Sequence, residues 1–126
     1  MTITNKVKYF FDEEAEILYK YHFGNINFDD IRNSWDEAIK NNIIPDNIKG
    51  FILDYRNATF DMSPNEHIKI VDYYQRNLNT FGGHRIAILT EDPKDLVISI
   101  LVELKDRGYA SKPFSTEEAA KKWVLQ

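Results

Sequence analysis

Apolar and polar residues alternate with a period of two between residues 7 and 23, on both sides of an acidic run from Asp12 to Glu16. A period of two is typical of β-strands that bury one face. Because the acidic run is short, we predict that the two strands pair as an antiparallel hairpin with their Tyr and Phe positions on one buried face. The apolar positions are Val7, Tyr9, Phe11, Ile17, Tyr19, Tyr21 and Phe23.

Helical spacing replaces this alternation after the hairpin. Apolar residues recur from Phe28 to Ile39 behind a candidate cap at Asn27, which predicts a first helix that ends near Asn41. The continuous apolar run from Gly50 to Tyr55 predicts a strand in the middle of the sheet, buried on both faces. A second helix is predicted from Ser63, because Ser-Pro-Asn-Glu combines a cap, a proline in the first turn and the Glu of a capping box.

The second half of the chain continues the pattern of strand and helix. Arg85 to Thr90 predicts another buried strand, Asp92 to Arg107 a third helix, and Tyr109 to Phe114 a weak last strand. Pro113 cannot donate a backbone hydrogen bond, so we place the last strand at an edge of the sheet. Ser115, with a Glu three residues later, predicts a capping box for a final helix.

The predicted order is strand, strand, helix and then three strand-helix units. Such an order is typical of the α/β class and of a mostly parallel sheet with right-handed crossovers. We therefore predict one domain over residues 1–126, with a sheet of about five strands, an N-terminal antiparallel hairpin and four helices. Tyr73 and Tyr74 are adjacent on the second helix, so we expect one of them to face solvent or a partner.

Composition and charge disfavour several classes of function. The 126 residues include 16 Lys and Arg against 20 Asp and Glu, and the bases are scattered along the chain, which disfavours nucleic-acid binding. The chain has no cysteine, which excludes disulfides, a thiolate nucleophile and iron-sulfur clusters. The N-terminus lacks an apolar export signal, and the longest apolar stretch, from Leu96 to Leu104, is too short to span a membrane. We therefore expect a cytoplasmic protein.

No pattern in the sequence indicates catalysis or a bound metal. His22, His67 and His84 are well separated and lack the spacing of paired metal ligands. The five glycines form neither a dinucleotide-binding nor a phosphate-binding motif, and Gly-x-Ser-x-Gly is absent. The acidic run from Asp12 to Glu16 lacks the alternate-residue spacing of a calcium loop. We therefore predict no enzyme activity, no cofactor and no metal site.

Several short motifs follow one another in an order that resembles a known bacterial family. They are Gly24 at the end of the second strand, Leu53-Asp54, Ala58-Thr59-Phe60, Arg85-Ile86-Ala87 and the C-terminal Ala119-Ala120-x-x-Trp123-Val124. With these motifs, nearly the whole chain resembles the STAS domain, the fold of the anti-sigma factor antagonists, and more closely its uncharacterised SpoIIAA-like relatives. The resemblance implies a non-catalytic regulatory module that binds a protein partner.

The resemblance also implies a phosphorylation switch, which this chain matches only in part. In the antagonists the loop after the third strand reads Asp-Ser-Ser-Gly, and its second Ser is phosphorylated. A gapless overlay through Thr59-Phe60 sets Met62 to Asn65 on those four positions, so Pro64 replaces the phosphorylated Ser. Ser63 could be phosphorylated only if the register slips by one residue. The capping signature accounts for Ser63 without any regulation, and we favour that interpretation.

The segment between the third strand and the second helix contains the candidate site. Its candidate residues for binding a partner or ligand are Asp54, Arg56, Asp61, Ser63 and Glu66. Asp54 and Arg56 lie where open α/β sheets tend to bind ligands, although Asp54 could instead accept hydrogen bonds from the next loop while Arg56 is solvated. We expect a protein partner. The alternative is a small anionic or lipid-like ligand in a cleft near the third strand and second helix, and a dimer is left open.

Overall fold

The structure is a computed structural model that describes residues 2–4 and 6–126, with the side chains of residues 6–126. Residues 1 and 5 lie outside the described residues, so the prediction made for the N-terminal segment is not addressed. The strands are β1 (Thr2–Thr4), β2 (Val7–Asp12), β3 (Ile17–Ile26), β4 (Gly50–Phe60), β5 (Arg85–Leu89) and β6 (Ala110–Phe114). The helices are α1 (Phe28–Lys40), α2 (His67–Arg76), α3 (Leu78–Phe81), α4 (Pro93–Glu103) and α5 (Glu117–Val124), and a 3-10 turn covers Pro64–Glu66.

The strands form one sheet in the order β1-β2-β3-β4-β5-β6. β1, β2 and β3 pair antiparallel, whereas β3 to β6 pair parallel. Each crossover moves one strand further in the same direction, so right-handed crossovers place α1, α2 and α4 on one face, which we call the inner face. α5 follows the last strand and packs on the opposite, outer face. The predicted α/β fold is confirmed, with its hairpin, its parallel strands and β6 at an edge.

Trp35 of α1 lies at the centre of the core on the inner face. Its indole is fully buried and meets the rings of Phe51 and Phe81 edge to face, with centroids 5.5 and 5.0 Å away. Such contacts between aromatic rings add to the stabilisation from apolar burial. Since Phe51 belongs to β4, the predicted central strand forms the floor of this core.

Helix α5 covers part of the outer face. Ala120 and Val124 of α5 pack on Ile17, Ile52 and other residues of β3, β4 and β5. Gly50 permits this close approach, because a Cβ atom there would lie 2.6 Å from Val124 Cγ1. On β2, farther from α5, the aromatic residue Phe10 is exposed.

The predicted single aromatic face of the hairpin is wrong. Asp12 pairs with Ile17 across the turn, so Tyr9 pairs with Lys20 and Phe10 pairs with Tyr19. Odd-numbered residues of β2 therefore share a face of the sheet with even-numbered residues of β3. Tyr9 and Phe11 face inward, whereas Tyr19, Tyr21 and Phe23 lie on the outer face.

β4 extends five residues beyond its predicted end at Tyr55. The β3-β4 register shifts between Tyr21 and Phe23, which leaves an extra residue in β4 next to Arg56. Bulges of this kind interrupt the alternation of a strand and are frequent near functional sites. The shift explains why the sequence pattern appears to end while the strand continues.

Tyr73 and Tyr74 are both buried, contrary to the prediction that only one faces inward. Helix α2 has neighbours on two sides. The Tyr73 hydroxyl donates to Asp36 Oδ1 on α1 at 2.6 Å, while the Tyr74 ring meets those of Phe81 and Tyr109 at 4.9 and 5.2 Å. A helix packed between other elements can bury side chains over most of its circumference.

Two helix boundaries differ from their predictions. The third predicted helix, α4, ends at Glu103 rather than near Gly108, and Asp92 caps its start by accepting from the backbone N–H groups of Lys94 and Asp95. The last helix is capped by Thr116, whose hydroxyl accepts from the backbone N–H of Ala119 at 3.2 Å. Ser115, the predicted cap, lies one residue too early.

Candidate functional site

Asp54 and Arg56 form an ion pair on the outer face of β4. Arg56 Nη2 donates to Asp54 Oδ2 at 2.7 Å, and the backbone N–H of Arg56 donates to Asp54 Oδ1 at 2.9 Å. Asp54 is buried and Arg56 is partly exposed. Asp54 thus accepts hydrogen bonds, as the second interpretation of its position expected, but from Arg56 within β4 rather than from a loop, and Arg56 is ion-paired.

Glu117, at the start of α5, lies on the other side of the same guanidinium. Its Oε1 atom is 3.5 Å from Arg56 Nη2, and its Oε2 atom accepts from the Tyr19 hydroxyl at 3.5 Å. Burial, reinforced by the Glu117 carboxylate, raises the pKa of Tyr19 to about 12. Two carboxylates therefore surround one guanidinium, and the local field does not favour a small anion.

The other three candidates lie beyond β4, on the turn that leads into α2. The backbone N–H of Asp61 donates to the carbonyl of Ile26 at 2.7 Å, while the Asp61 side chain is exposed. Ser63 and Glu66 form the predicted capping box, with the Glu66 carboxylate accepting from the Ser63 backbone N–H at 2.8 Å. That hydrogen bond lowers the pKa of Glu66. The turn presents polar side chains to solvent from a fixed backbone.

The five candidates therefore form two groups rather than one site. Asp54 and Arg56 face α5 on the outer side of the sheet, whereas Asp61, Ser63 and Glu66 lie past the end of the strand. Arg56 and Asp61 are five residues apart, which is about 16 Å along an extended chain. We name the turn 61–66 the β4-α2 turn.

Replacing Ser63 by Ala is expected to lower the free energy of unfolding by about 0.5 to 2 kcal/mol, because the helix start loses its capping side chain. The Ser63 hydroxyl also donates to the side chains of Asn65 and Glu66. Ser115→Ala is the matched control, since Ser115 is exposed and precedes the observed cap, and it should cost less than about 0.5 kcal/mol. Chemical denaturation compares the two variants, and equal losses would contradict the capping role.

His67 fastens the β4-α2 turn to the segment after α4. Its Nδ1 atom lies 2.7 Å from the Pro64 carbonyl oxygen and its Nε2 atom 2.7 Å from Lys105 Nζ. Because an ammonium group only donates, the geometry assigns the ring proton to Nδ1, which donates to Pro64, and the lone pair to Nε2. The sequence could not reveal this link, since 38 residues separate the two partners.

Asp95 holds the end of β4 from the first turn of α4. Its Oδ1 atom accepts from the backbone N–H of Phe60 at 3.0 Å and from the Thr59 hydroxyl at 3.3 Å. The side chain is fully buried, and burial raises its pKa. The sequence does not indicate this contact, because the helix dipole alone accounts for an acidic residue in the first turn of a helix.

Lys20 and His22 are buried on the inner face. Lys20 Nζ donates to Ser34 Oγ at 2.6 Å and lies 4.0 Å from the centroid of the Trp35 ring. His22 stacks on Tyr55 with ring centroids 3.9 Å apart, and its Nδ1 atom lies 3.3 Å from the Asp54 carbonyl oxygen. Burial lowers the pKa of both side chains well below their ordinary values. The alternation of the hairpin could have identified Lys20 and His22 as buried only if the register between β2 and β3 had been known.

A small apolar cavity lies between β4, α2 and α4, where the sequence suggested a ligand cleft. Its volume is about 20 Å³, and the residues around it include Tyr55, Ile70, Tyr74, Ile98 and Ser99. This volume is close to the space that one water molecule needs. A lipid-like ligand would fit only if the two helices moved apart.

The three histidines lie on separate elements: His22 on β3, His67 at the start of α2, and His84 just before β5. Within residues 2–4 and 6–126, no three His, Asp or Glu side chains are grouped so that they could hold a metal ion. None of the helices in the described part of the chain is long and apolar enough to cross a bilayer.

Comparison with known proteins supports the fold and little more. No family model matches this chain, and no curated protein matches it. An uncharacterized protein of the DUF3478 family from Shewanella loihica PV-4, described as having a SpoIIAA-like fold, is similar with a TM-score of 0.64 at 12% identity, covering 98% of each chain. The anti-sigma factor antagonist SpoIIAA in its unphosphorylated form is similar with a TM-score of 0.50 at 18% identity, covering 94% of this chain and 96% of that one. The chain therefore has a SpoIIAA-like fold, as the resemblance predicted.

Proposed function

We propose that this chain is a non-catalytic regulatory module that binds a protein partner in the bacterial cytoplasm, and that the partner contacts the β4-α2 turn. The observation that carries the proposal is a hydrogen-bonded turn at the carboxyl end of the central strand that exposes Asp61 and Ser63, with the half-buried Glu66 beside them. A solved structure of the same fold is an anti-sigma factor antagonist, which is a regulatory protein.

Three sets of hydrogen bonds anchor the β4-α2 turn. The capping box closes it, His67 ties it to Lys105, and Asp95 holds the residue before it. A preorganised surface loses little conformational entropy on binding, so more of the contact energy contributes to affinity. Glu66 is already paired with Lys69 at 3.1 Å, so the exposed Asp61 is the acidic group that favours a partner surface with Lys or Arg residues.

The proposed module binds without a phosphorylation switch at Ser63. A phosphate on Ser63 would face the Glu66 carboxylate, whose Oε2 atom lies 3.3 Å from Ser63 Oγ, and like charges at this distance repel. Phosphopeptide mapping of protein from growing and starved host cells is expected to find Ser63 unmodified. A substantial occupied fraction under either condition would mean that Ser63 is regulatory.

The alternative of a small anionic or lipid-like ligand has weaker support. The cavity beside α2 and α4 has room for about one water molecule, and Arg56 is already flanked by Asp54 and Glu117. Native mass spectrometry of protein purified from its own host distinguishes the two functions. A stoichiometric small molecule would favour the ligand-binding function over the one proposed.

Quantitative affinity purification from the native host tests the proposed surface. We expect one protein to be enriched by the wild type and by Arg56→Ala, because Arg56 lies on the outer face away from the turn. Asp61→Lys reverses an exposed charge on the turn and should reduce that enrichment at least tenfold, about 1.4 kcal/mol. Equal recovery by Asp61→Lys and the wild type would place the partner surface elsewhere.

A further inference from the structure

Helix α4 buries Ile98 and Val102 in the core together with Asp95 and Ser99, and it exposes a second set of aliphatic residues on its other side. Asp95 and Ser99 face the sheet with 0% and 3% of their surface exposed. Leu96, Val97, Ile100 and Leu104 are exposed by 42%, 46%, 41% and 75%. At 100° per residue these four residues lie within about 100° of one another, which makes one continuous stripe along the helix and its C-cap. We call them the α4 stripe.

A helix that is apolar on both sides is normally covered on both sides. In the described part of the chain α4 is the helix nearest the β6 edge, with α2 beside it and the sheet beneath it. No described residue covers the stripe, since all four of its side chains are exposed, and contiguous apolar surface of this kind usually marks an interface.

The two flanks of the stripe carry opposite charges. Asp106, which accepts from the Ser111 hydroxyl at 2.8 Å, marks the side toward β6, and Lys105, which contacts His67, marks the side toward α2. Positions 11 residues apart fall within about 20° of each other on a helix. Asp92 lines a groove with Pro113 and Phe114 of β6, and Glu103 lies on the same side of the helix as Asp92, so both are on the β6 side. Lys94 is on the α2 side, in line with Lys105.

We propose that the α4 stripe is covered by a second copy of this chain, with the two-fold axis running parallel to α4. In that arrangement the acidic flank of each copy lies against the basic flank of the other. An antiparallel pair would instead place like charges together, which is unfavourable. A two-fold interface joins the same patch of both copies, so the patch must complement itself. An apolar centre with one acidic and one basic flank does so.

The pair is expected to be in reversible equilibrium with the single chain. One helix face is smaller than the roughly 800 Å² per partner of a standard stable interface. We therefore expect a dissociation constant on the order of 10 µM. This self-association goes beyond the proposed function and concerns a different surface, so either can fail without the other.

Sedimentation equilibrium from about 1 to about 500 µM tests the association. The wild type should shift from the mass of one chain toward twice that mass, and Leu104→Lys and Ile100→Lys should weaken association at least tenfold. Leu125→Lys, which changes a similarly exposed Leu on the opposite side of the sheet, should leave it within about twofold. A single-chain mass at every concentration, or equal association by all variants, would overturn the proposal.

Cysteine cross-linking tests the direction of the pair, since the native chain contains no cysteine. In a parallel two-fold pair identical residues meet, so Leu104→Cys should form a disulfide-linked dimer under mild oxidation much faster than Leu125→Cys. In an antiparallel pair the two copies of residue 104 would lie at opposite ends of the interface. Cross-linking of Leu104→Cys at the rate of the control would rule out the proposed geometry.

Discussion

Replacing Lys20 by Met is expected to raise the free energy of unfolding at pH 7 by about 1 to 4 kcal/mol, because apolar residues of similar volume often stabilise sites of buried charge. Lys20 is fully buried, and its one hydrogen-bond acceptor among the described residues is the Ser34 hydroxyl. Removing the amine leaves no orphaned donor at Ser34, since that hydroxyl still donates to the Ile31 carbonyl at 2.9 Å. Met also retains the apolar contact with Trp35.

The buried Lys20 side chain also predicts that the free energy of unfolding depends on pH. Burial lowers the pKa of Lys20 well below its ordinary value of 10.5, so the folded chain favours the neutral amine while the unfolded chain stays protonated up to that pH. Lys20 therefore does not lower the free energy of unfolding above about pH 10.5, and it lowers that free energy progressively as the pH falls below this value. The advantage of Lys20→Met should therefore shrink between pH 7 and pH 10. His22 is neutral in the folded chain over this range, because burial lowers its pKa well below the ordinary value of 6.5.

Urea denaturation at both pH values measures these effects. Lys8→Met is the matched control, because Lys8 lies on the neighbouring strand with an exposed side chain, and its effect should be within about 0.5 kcal/mol at either pH. A loss of more than about 1 kcal/mol in Lys20→Met at pH 7, with no change at pH 10, would contradict the description of Lys20 as an uncompensated buried amine.

Truncating Trp35 to Ala is expected to lower the free energy of unfolding by about 3 to 5 kcal/mol, the largest loss that we predict. The indole is fully buried between Phe51 and Phe81, so the variant leaves a cavity that its aromatic neighbours cannot fill without leaving their positions. A domain of this kind is stable by about 5 to 15 kcal/mol, so the loss is a large share of the total.

Trp123→Ala provides the comparison for Trp35→Ala. Trp123 is half-buried on the outer face, where its ring packs against Phe114 at 5.5 Å between centroids. Partial burial predicts a loss of less than about 2 kcal/mol in thermal or chemical denaturation. If Trp35→Ala and Trp123→Ala lowered the free energy of unfolding equally, the core would not be centred on α1.

Most elements of the fold could be predicted from the sequence because they have a clear local signal, whereas the short β1 and α3 were not predicted. Gly50 to Tyr55 was identified as the central strand from its continuous apolar run, and Asn27 as a cap from its position before helical spacing. The faces of the hairpin could not be predicted, since they depend on whether Tyr9 pairs with an odd or an even position. That choice is made by the turn between Asp12 and Ile17.

The orientation of α4 shows a second limit of sequence patterns. Its apolar residues correctly predict a helix, but with apolar residues on both sides the pattern does not say which side meets the sheet. The two polar residues that face inward, Asp95 and Ser99, do so because Asp95 binds the end of β4. Long-range hydrogen bonds of this kind have no signature in the local sequence.

The five candidate residues do not lie together as the single site that the sequence suggested. Ser63 and Glu66 form the capping box that their spacing predicts, and Asp54 accepts the hydrogen bond expected of an Asp at this position. The division into two groups could not be foreseen, because the sequence pattern ends at Tyr55 whereas β4 continues to Phe60. The role of the five residues in binding stays a prediction.

Isothermal titration of the recovered partner against purified variants tests the central claim most directly. If the β4-α2 turn is the partner surface, Asp61→Ala and Ser63→Asp should each weaken the dissociation constant by more than tenfold, while Arg56→Ala stays within threefold. The contradictory result is that all three variants bind within about threefold of the wild type, a difference under ~0.7 kcal/mol, which would show that the partner binds another surface.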